Sequence, residues 1–340
     1  MVTGGDNAMN SAYAVFRMAT AYWASQTIYV AAKLGIADVL GEASKSSDEI
    51  ASATGANGNS LARLTRALVA LDLLAVDGDG RFRLTAIGAS LQSGMPGSMR
   101  SIILTLGEEH YQAWGKLVDS VRCDTPAFDN VYRRPLFEYL AENSAAAKTF
   151  NEAMTDLTSQ MALATILAYD FSESRVVADV GGGQGVLLDS ILRTNPSTKG
   201  ILFDSEQVIA ATGPHIWNKG VGDRRQSIGG DFFESVPEGA DIYILKNVLH
   251  DWSDEGAVRI LKNCRRAMDS QAKLLVIEMV LPLMDDVAFG NLLDLNMLVM
   301  SGGRERTKDE YCSLFEKSGF HLKQVIPTLA PVSILEAIPV

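Results

Sequence analysis

The feature that most constrains this chain is the stretch Val176–Gly185, where a short apolar run ends in an acid and a glycine-rich turn. Valines dominate the run, and the residues after the turn repeat with helical periodicity, which predicts a strand, a tight loop and a helix. Gly181, Gly183 and Gly185 let the backbone turn sharply and approach a ligand closely. The stretch therefore predicts a cofactor loop in a nucleotide-type pocket.

The spacing of this loop is Asp-x-Gly-x-Gly-x-Gly, because Val186 stands where a dinucleotide loop needs its last glycine. A dinucleotide would bring a pyrophosphate to the loop, where the carboxylate of Asp179 would repel it. A cofactor with an adenosine, an ammonium and a sulfonium but no phosphate does not meet that repulsion. The loop therefore favours S-adenosylmethionine over NAD.

The length and composition limit the class of protein. A chain of 340 residues with 47% hydrophobic residues suits two domains with real cores, and a net charge of −11 disfavours nucleic acid or an anionic membrane as partner. The three cysteines lie far apart, which argues against a disulfide framework or a metal cluster. No secretory signal opens the sequence, and no apolar run approaches the roughly 20 residues that cross a bilayer, so we expect a cytoplasmic protein.

The front of the chain predicts a helical unit that resembles a winged helix. Residues 12–40 are helical in pattern, Ser46 begins a short helix, and Asn59 is expected to cap the next one. A hairpin of residues 75–84 follows. Arginines in this unit are cancelled by neighbouring acids, which disfavours DNA binding. We expect residues 1–97 to form this domain, 98–168 to form connecting helices that line a substrate pocket, and 169–340 to form the cofactor-binding domain.

Strands and helices alternate after the glycine-rich loop. The predicted strands end near Asp204, Ile228, Leu245 and Ile277, and a final hairpin closes the chain. Such alternation is typical of a mostly parallel, doubly wound sheet with helices on both faces. The predicted fold class is therefore α/β, with a Rossmann-like domain preceded by the helical, winged-helix-like one.

Polar residues follow the carboxyl end of each predicted strand, which is where ligands bind in such sheets. Asp204 lies about 20 residues past the loop, where an acid holds ribose hydroxyls. The run Gly230–Phe233 offers the carboxylate of Asp231 to an exocyclic amine, and Phe232 and Phe233 to an adenine face. Any one of these acids on its own is more often a solvated strand end. Further polar residues continue along the same edge: Lys246, Asn247, His250 and Asp251, then Glu278. This repetition along one edge favours a ligand-binding site.

His250 is the candidate base at this edge. An imidazole with a reference pKa of about 6.5 is largely neutral at pH 7 and accepts a proton from a hydroxyl. It needs a carboxylate to hold its tautomer and stabilise the imidazolium. Glu278 is one candidate for that carboxylate, and Glu305 in the Ser301–Thr307 loop is another.

Several motifs together resemble the small-molecule O-methyltransferases of the caffeate and flavonoid type and their microbial relatives. They are the glycine-rich loop, Gly230–Phe233, Leu245–Trp252 and Gly302–Thr307, in that order along nearly the whole chain. The resemblance implies a Rossmann-like catalytic domain and a homodimer intertwined through the N-terminal helices. It also implies methyl transfer from S-adenosylmethionine to an aromatic hydroxyl of a small molecule, with no metal.

The resemblance further implies roles for individual residues. His250 would be the general base, flanked by Glu278 and Glu305, with Asp251 beside the substrate. The cofactor would lie among the loop residues and those that follow later strands, with Thr158 near its methionine end. Ser205 would be a further cofactor contact, although Asp204–Gln207 departs from the leucine-proline or arginine-proline pair that the family has after the acid. Four residues match or neighbour positions that line the acceptor pocket: Phe150, Met154, Asn296 and Met297.

The sequence therefore predicts an S-adenosylmethionine-dependent O-methyltransferase of secondary metabolism. Methylation of nitrogen or carbon, or hydroxylation or decarboxylation of the acceptor in a diverged member, stays open as an alternative. A winged-helix regulator that senses a small ligand is a further alternative, which the acidic charge balance disfavours.

Overall fold

The computed structural model describes residues 5–95, 97–212, 221–281 and 288–340. The chain divides into two compact units, residues 1–109 and 110–340. The domain boundary that the sequence places after residue 97 stays a prediction. The separate segment of connecting helices stays a prediction.

The first unit is helical with one small hairpin. A π-helical turn, Leu106–His110, crosses its last boundary. The hairpin strands are antiparallel, with Leu74 opposite Leu84. The elements are α1 (Gly5–Ala19), α2 (Tyr22–Lys33), α3 (Ile36–Leu40), α4 (Ser47–Thr54), α5 (Gly58–Ala70), β1 (Leu74–Val76), β2 (Phe82–Leu84), α6 (Ala86–Ala89) and α7 (Arg100–Thr105).

Two helix starts show how local sequence sets this unit. The Ser46 side chain accepts from the backbone of Glu49, whose carboxylate accepts from the backbone of Ser46, so both orphan donors are satisfied as the sequence predicted. The prediction of Asn59 as a cap was wrong. Asn57 caps α5 by accepting from Ser60, because a cap must lie in extended backbone and Asn59 is already inside the helix.

The second unit begins with five helices. The fifth is the longest of the described chain and carries two of the predicted acceptor-pocket residues and Thr158. Their bounds are α8 (Tyr111–Trp114), α9 (Leu117–Cys123), α10 (Ala127–Tyr132), α11 (Leu136–Glu142) and α12 (Ser144–Ala168).

A seven-stranded sheet forms the centre of the second unit, in the order β10-β11-β7-β6-β3-β4-β5. The strands from β7 to β5 are parallel, while β11 pairs antiparallel with both β7 and β10. The bounds are β3 (Val176–Val180), β4 (Lys199–Asp204), β5 (Arg225–Gly229), β6 (Ile242–Lys246), β7 (Lys273–Glu278), β10 (Phe320–Pro327) and β11 (Ser333–Pro339). The predicted parallel sheet and final hairpin are confirmed.

Helices cover both faces of this sheet. Ala178 and Tyr243 belong to one buried cluster, whereas their neighbours Val177 and Ile242 belong to the other, as the alternation of a strand requires. The domain is therefore doubly wound, as predicted. The helices after β3 are α13 (Val186–Thr194), α14 (Glu206–Ala211), α15 (Asp254–Ala267), α16 (Ala288–Met300) and α17 (Lys308–Lys317), and a small parallel pair joins β8 (Val280–Leu281) to β9 (Arg306–Thr307).

Within the described ranges, no helix is long and apolar enough to cross a membrane. The cytoplasmic location stays a prediction.

Candidate active site

The glycine-rich loop joins β3 to α13 at the carboxyl edge of the sheet. Gly181, Gly183 and Gly185 all have left-handed φ angles of 58–81°, which side chains with a Cβ rarely adopt. A Cβ on Gly182 would lie 2.6 Å from the Asp179 carboxyl carbon. The loop is therefore folded closely over Asp179.

Asp179 is buried at the end of β3, and its Oδ1 has no hydrogen-bond partner among the described residues. Burial raises the pKa of this carboxyl to about 7, opposed by the charge of Lys246. Lys246 itself is desolvated, which lowers its pKa to about 8. An orphaned buried oxygen needs a donor, so Asp179 is suited to receive a cationic or N–H group from a ligand.

Asp204 ends β4 beside the same loop. Its Oδ2 accepts from the backbone N–H of Gly183 at 2.8 Å, and its Oδ1 accepts from Ser205 at 2.7 Å. Ser205 uses its own hydroxyl to cap α14 by accepting from Val208. The structure thus gives Ser205 a capping role, and its contact with a cofactor stays a prediction.

The run Gly230–Phe233 follows β5. The ring of Phe232 lies 3.7 Å from where a Cβ on Gly181 would be, so it borders the loop. Phe233 packs instead against Trp252, with ring centroids 4.7 Å apart, and under the guanidinium of Arg259. Asp231 is exposed, and its Oδ1 accepts from the backbone of Phe233. Gly230 is packed against Phe203, whose ring leaves no room for a Cβ. Phe232 therefore borders the loop, and the cofactor contacts expected of Gly230, Asp231 and Phe233 stay predictions.

Lys246 connects the loop side of the edge to α12. Its Nζ donates to the Thr158 hydroxyl at 3.1 Å. Phe150, Met154 and Thr158 are spaced by four residues and share one face of α12, and all three are half-buried. That face is directed toward the carboxyl end of β6 by the contact of Thr158 with Lys246.

His250 lies in a short 3₁₀ turn, Leu249–Asp251, directly after β6. Its Nδ1 lies 2.8 Å from Oε1 of Glu305, whose side chain is fully buried. Its Nε2 lies 3.9 Å from Oδ2 of Asp251. A carboxylate at Nδ1 holds the proton there, so a neutral ring keeps its lone pair on Nε2.

The charges around His250 control its protonation. Burial alone lowers the pKa of the imidazole, but the carboxylates of Asp251, Glu305 and Glu278 outweigh it and raise the pKa to about 9. Burial raises the pKa of Asp251 to about 6, against the opposing effect of His250. The ring is therefore a stronger base than a free imidazole.

Glu278 was a candidate to orient the His250 ring, and the structure places it elsewhere. Its Oε1 accepts from the backbone N–H groups of Val248, Leu249 and His250 at 2.6–3.3 Å, and its Oε2 accepts from Tyr311. Among the described residues, Glu305 alone lies within hydrogen-bonding distance of the ring. Glu278 ends β7 and contacts the backbone of the turn, whereas the loop that carries Glu305 approaches the ring.

Asn296 and Met297 lie on α16. Met297 is buried, and Asn296 Oδ1 accepts from Trp114 Nε1 at 2.9 Å. Asp294 on the same helix accepts from the backbone of Glu305 at 2.9 Å, which ties α16 to the loop of the proposed catalytic pair. No described contact links Asn296 or Met297 to His250 itself, so their substrate roles stay predictions.

Sequence reasoning missed three residues of this region, two of which, Arg306 and Tyr311, are fully buried. Arg306 and Tyr311 hold the segment around His250, and Trp114 holds Asn296. An arginine in a glycine-rich, charged loop is normally exposed, and a tyrosine on an amphipathic helix is normally core. The Thr307–Glu310 capping box predicts where α17 begins, but no sequence signal shows what Tyr311 contacts.

The fold and site together define a class of protein. The glycine-rich loop is acidic and suits a nucleoside cofactor without phosphates. At the same edge of the sheet, a histidine is bound to a carboxylate. This arrangement is typical of a group-transfer enzyme with a nucleoside cofactor. Among the residues that the structure describes, no group of three or more potential ligands is placed to hold a metal ion.

Comparison with known proteins identifies the family. Residues 114–321 match the O-methyltransferase domain, and residues 16–93 match the O-methyltransferase dimerisation domain. The phenazine O-methyltransferase PhzM of Lysobacter antibioticus is 45% identical over 326 residues, which cover 96% of this chain and 96% of that protein. The chain belongs to the O-methyltransferase family.

Solved structures agree with this assignment. The crystal structure of LaPhzM has a TM-score of 0.93 at 44% identity, covering 97% of this chain and 99% of that one. The O-methyltransferase NcsB1 of neocarzinostatin biosynthesis, solved with S-adenosylmethionine and 2-hydroxy-5-methyl naphthoic acid, has a TM-score of 0.79 at 33% identity and covers 93% and 96%. The protein is an S-adenosylmethionine-dependent O-methyltransferase that acts on a small-molecule acceptor. It carries an N-terminal dimerisation domain.

Proposed function

We propose that His250 is the general base that removes the proton of an aromatic hydroxyl during methyl transfer. The bound cofactor supplies an electrophilic methyl group on a sulfonium. The hydroxyl oxygen bonds to that carbon as the sulfur–carbon bond breaks, and the hydroxyl proton goes to Nε2 of His250. Glu305 holds Nδ1 and stabilises the imidazolium that results. Much of the rate then comes from holding oxygen and methyl in line.

The observation that carries this proposal is the 2.8 Å contact between His250 Nδ1 and a fully buried glutamate, with Nε2 left on the other side of the ring. Transfer to an amine nitrogen needs no base before attack, because a neutral amine already presents a lone pair. A base held this firmly therefore supports a hydroxyl acceptor.

We further propose which residues hold the cofactor. The orphaned oxygen of Asp179 fits its ammonium, Asp204 fits its ribose hydroxyls, and Phe232 fits the face of its adenine. Lys246 and Thr158 would then border its methionine end. The fit is to a cationic, phosphate-free ligand, as the sequence of the loop predicts.

We propose that the acceptor is a flat, fused-ring aromatic hydroxyl compound of secondary metabolism. PhzM is named for phenazines, and NcsB1 was solved with a hydroxylated naphthoic acid. Phe150 and Met154 on one face of α12 supply a flat ring and a flexible thioether, which suit such ring systems.

The test of the base assignment is His250→Gln, with His321→Gln as its matched control because His321 is exposed on β10. The variants are incubated with methyl-labelled cofactor and a panel of hydroxyphenazines and hydroxynaphthoates, and the masses of the products are measured by mass spectrometry. We expect His250→Gln to lower kcat by at least about 10²-fold with unchanged cofactor affinity, and His321→Gln to match the parent. An undiminished rate for His250→Gln contradicts the base assignment, and a product without labelled methyl contradicts methyl transfer.

We also propose a homodimer formed through the N-terminal helices. Tyr13, Phe16 and Trp23 on α1 and α2 are 56–61% exposed, and the match to the dimerisation domain begins within α1. An exposed apolar surface of this kind is typical of a subunit interface.

A further inference from the structure

The backbone around His250 is held at both ends by buried side chains from other segments. We call residues Val248–Trp252 the His250 turn. Its first N–H groups donate to Oε1 of Glu278, as described above. Its carbonyl groups accept from Arg306, whose guanidinium donates to Leu249 and to Trp252 at 2.9 Å each. The carboxylate of Glu278 therefore satisfies backbone N–H groups of the turn, and the guanidinium of Arg306 satisfies two of its carbonyl groups.

The charge of Arg306 is itself compensated. The side chain is fully buried, and its Nε and one terminal nitrogen donate to Oδ1 of Asp254 at 3.0 and 2.9 Å. A buried, paired guanidinium with every contact on backbone or on Asp254 costs desolvation and contributes little net stability. Its planar fork, however, fixes two carbonyl groups in one geometry, which a flexible ammonium cannot do.

Tyr311 holds Glu278, the carboxylate that accepts from the first N–H groups of the His250 turn. Its fully buried hydroxyl donates to Oε2 of Glu278 at 2.5 Å. Because Oε1 of the same carboxylate accepts three backbone N–H groups, the hydroxyl fixes the rotation of the carboxylate about its last bond. The position of the His250 backbone then depends on α17, which carries Tyr311.

The same loop joins the turn to the carboxylate on the ring. Arg304 donates its backbone N–H to the carbonyl of His250 at 2.8 Å, and Glu305 follows with its contact to Nδ1. One loop thus contacts both the backbone and the ring of His250, so a shift of the turn changes the contact between Nδ1 of His250 and Oε1 of Glu305.

We infer that Arg306 and Tyr311 are positioning residues for the base: they hold the His250 turn so that the imidazole keeps its contact with Glu305 and its Nε2 stays aimed at the acceptor. The inference rests on the proposed role of His250. Neither residue contacts a reacting atom, and both act through the backbone of the turn.

The decisive variant is Tyr311→Phe, and its matched control is Tyr243→Phe. Tyr243 is also fully buried, and its hydroxyl donates to the carbonyl groups of Pro237 and Ala267, away from the turn. Both substitutions remove one buried hydroxyl and keep the ring. They therefore separate a general loss of stability from a loss of positioning.

The readouts are the NMR titration of the His250 ring, the cofactor dissociation constant by calorimetry, the melting temperature and kcat. The chain has four histidines, so the His250 signal is assigned with His250→Ala. We expect Tyr311→Phe to move the His250 titration downward by about half a unit or more as the Glu305 contact loosens. We expect kcat to fall at least about 10-fold while cofactor affinity stays within about twofold. Tyr243→Phe should lower the melting temperature without either effect.

Arg306→Lys is the second variant, because it keeps the charge and loses the fork. It should reproduce the effects of Tyr311→Phe, and if it does not fold, Tyr311→Phe alone decides. The inference is overturned if Tyr311→Phe leaves the His250 titration unmoved and lowers kcat no more than Tyr243→Phe. A His250→Gln enzyme at full rate would instead remove the base assignment, while the titration would still report whether these residues hold the ring.

Discussion

At the scale of single residues, the cofactor loop rests on a buried ion pair that the sequence did not reveal. Arg225 on β5 donates to Oδ2 of Asp189 at 2.8 Å, and the other oxygen of Asp189 has no partner among the described residues. A Cβ on Gly185 would lie 2.9 Å from the same guanidinium nitrogen. Burial raises the pKa of Asp189, and the charges of Arg225 and Arg193 oppose it, with Arg225 also donating the hydrogen bond.

We predict that Arg225→Met lowers the free energy of unfolding by about 3–5 kcal/mol, because it leaves a carboxylate buried without its partner. Urea denaturation of the folded protein measures this loss. Arg175 offers the matched control, since it contacts Asp241 at 2.9 Å but is 86% exposed. Arg175→Met should cost about 1 kcal/mol or less. Equal losses from the two variants would show that burial of the Asp189 pair has no special weight.

A second residue-scale prediction concerns the acidity of His250. Burial lowers the pKa of His250, and Asp251 is one of three carboxylates, with Glu305 and Glu278, that together raise it to about 9. His250 must be neutral to accept a proton, so kcat/KM should rise with pH through about 9. Asp251→Asn removes a charge that favours the imidazolium, which lowers the pKa and moves the rising limb to lower pH.

The measurement is the pH profile of kcat/KM for parent and variant with the same acceptor, so that the titration of the acceptor hydroxyl cancels in the comparison. Asp170→Asn serves as a control, because Asp170 is exposed and only caps a local turn. A limb that stays in place, or moves upward, in Asp251→Asn would contradict the assignment of these charges.

At the scale of elements, the loop Ser301–Arg306 and the His250 turn depend on one close approach. A Cβ on Gly303 would lie 1.8 Å from the carbonyl oxygen of His250, so only glycine allows the loop to reach the turn. This loop carries both Glu305 and Arg306. The contact between His250 and Glu305 is thus set by the two segments together rather than by either alone.

We predict that Gly303→Ala lowers kcat by at least about 10²-fold, because the loop must move away and Glu305 moves with it. Steady-state kinetics and the melting temperature are measured together. Gly78→Ala is the control, since a Cβ there meets nothing within 4 Å, and it should leave both quantities unchanged. A Gly303→Ala enzyme with parental kcat would mean that the loop has another way to reach the ring.

At the scale of the whole molecule, the proposed homodimer accounts for apolar side chains that the first unit leaves exposed. We predict that Phe16→Glu combined with Trp23→Glu gives a monomer by light scattering, because the charges would have to be buried in the interface. Leu329→Glu is the control, as Leu329 is 88% exposed in the second unit. A double variant that stays dimeric would place the interface on other residues.

The sequence by itself determined the fold class, the cofactor loop and the identity of the residues at the strand ends. These depend on local or periodic signals: glycines at 181, 183 and 185, the alternation of strands and helices, and acids that follow β-branched runs. The helix start at Ser46 was predictable for the same reason, because the two residues of its capping box, Ser46 and Glu49, lie three positions apart.

Only the tertiary structure decided which residue does what at the site. It assigned Glu305 rather than Glu278 to the ring of His250, packed Phe233 against Trp252, and buried Arg306 and Tyr311 around the turn. These contacts join residues 19–57 positions apart in the chain. No local pattern encodes such a contact, because packing of distant segments sets the distance and direction between two side chains.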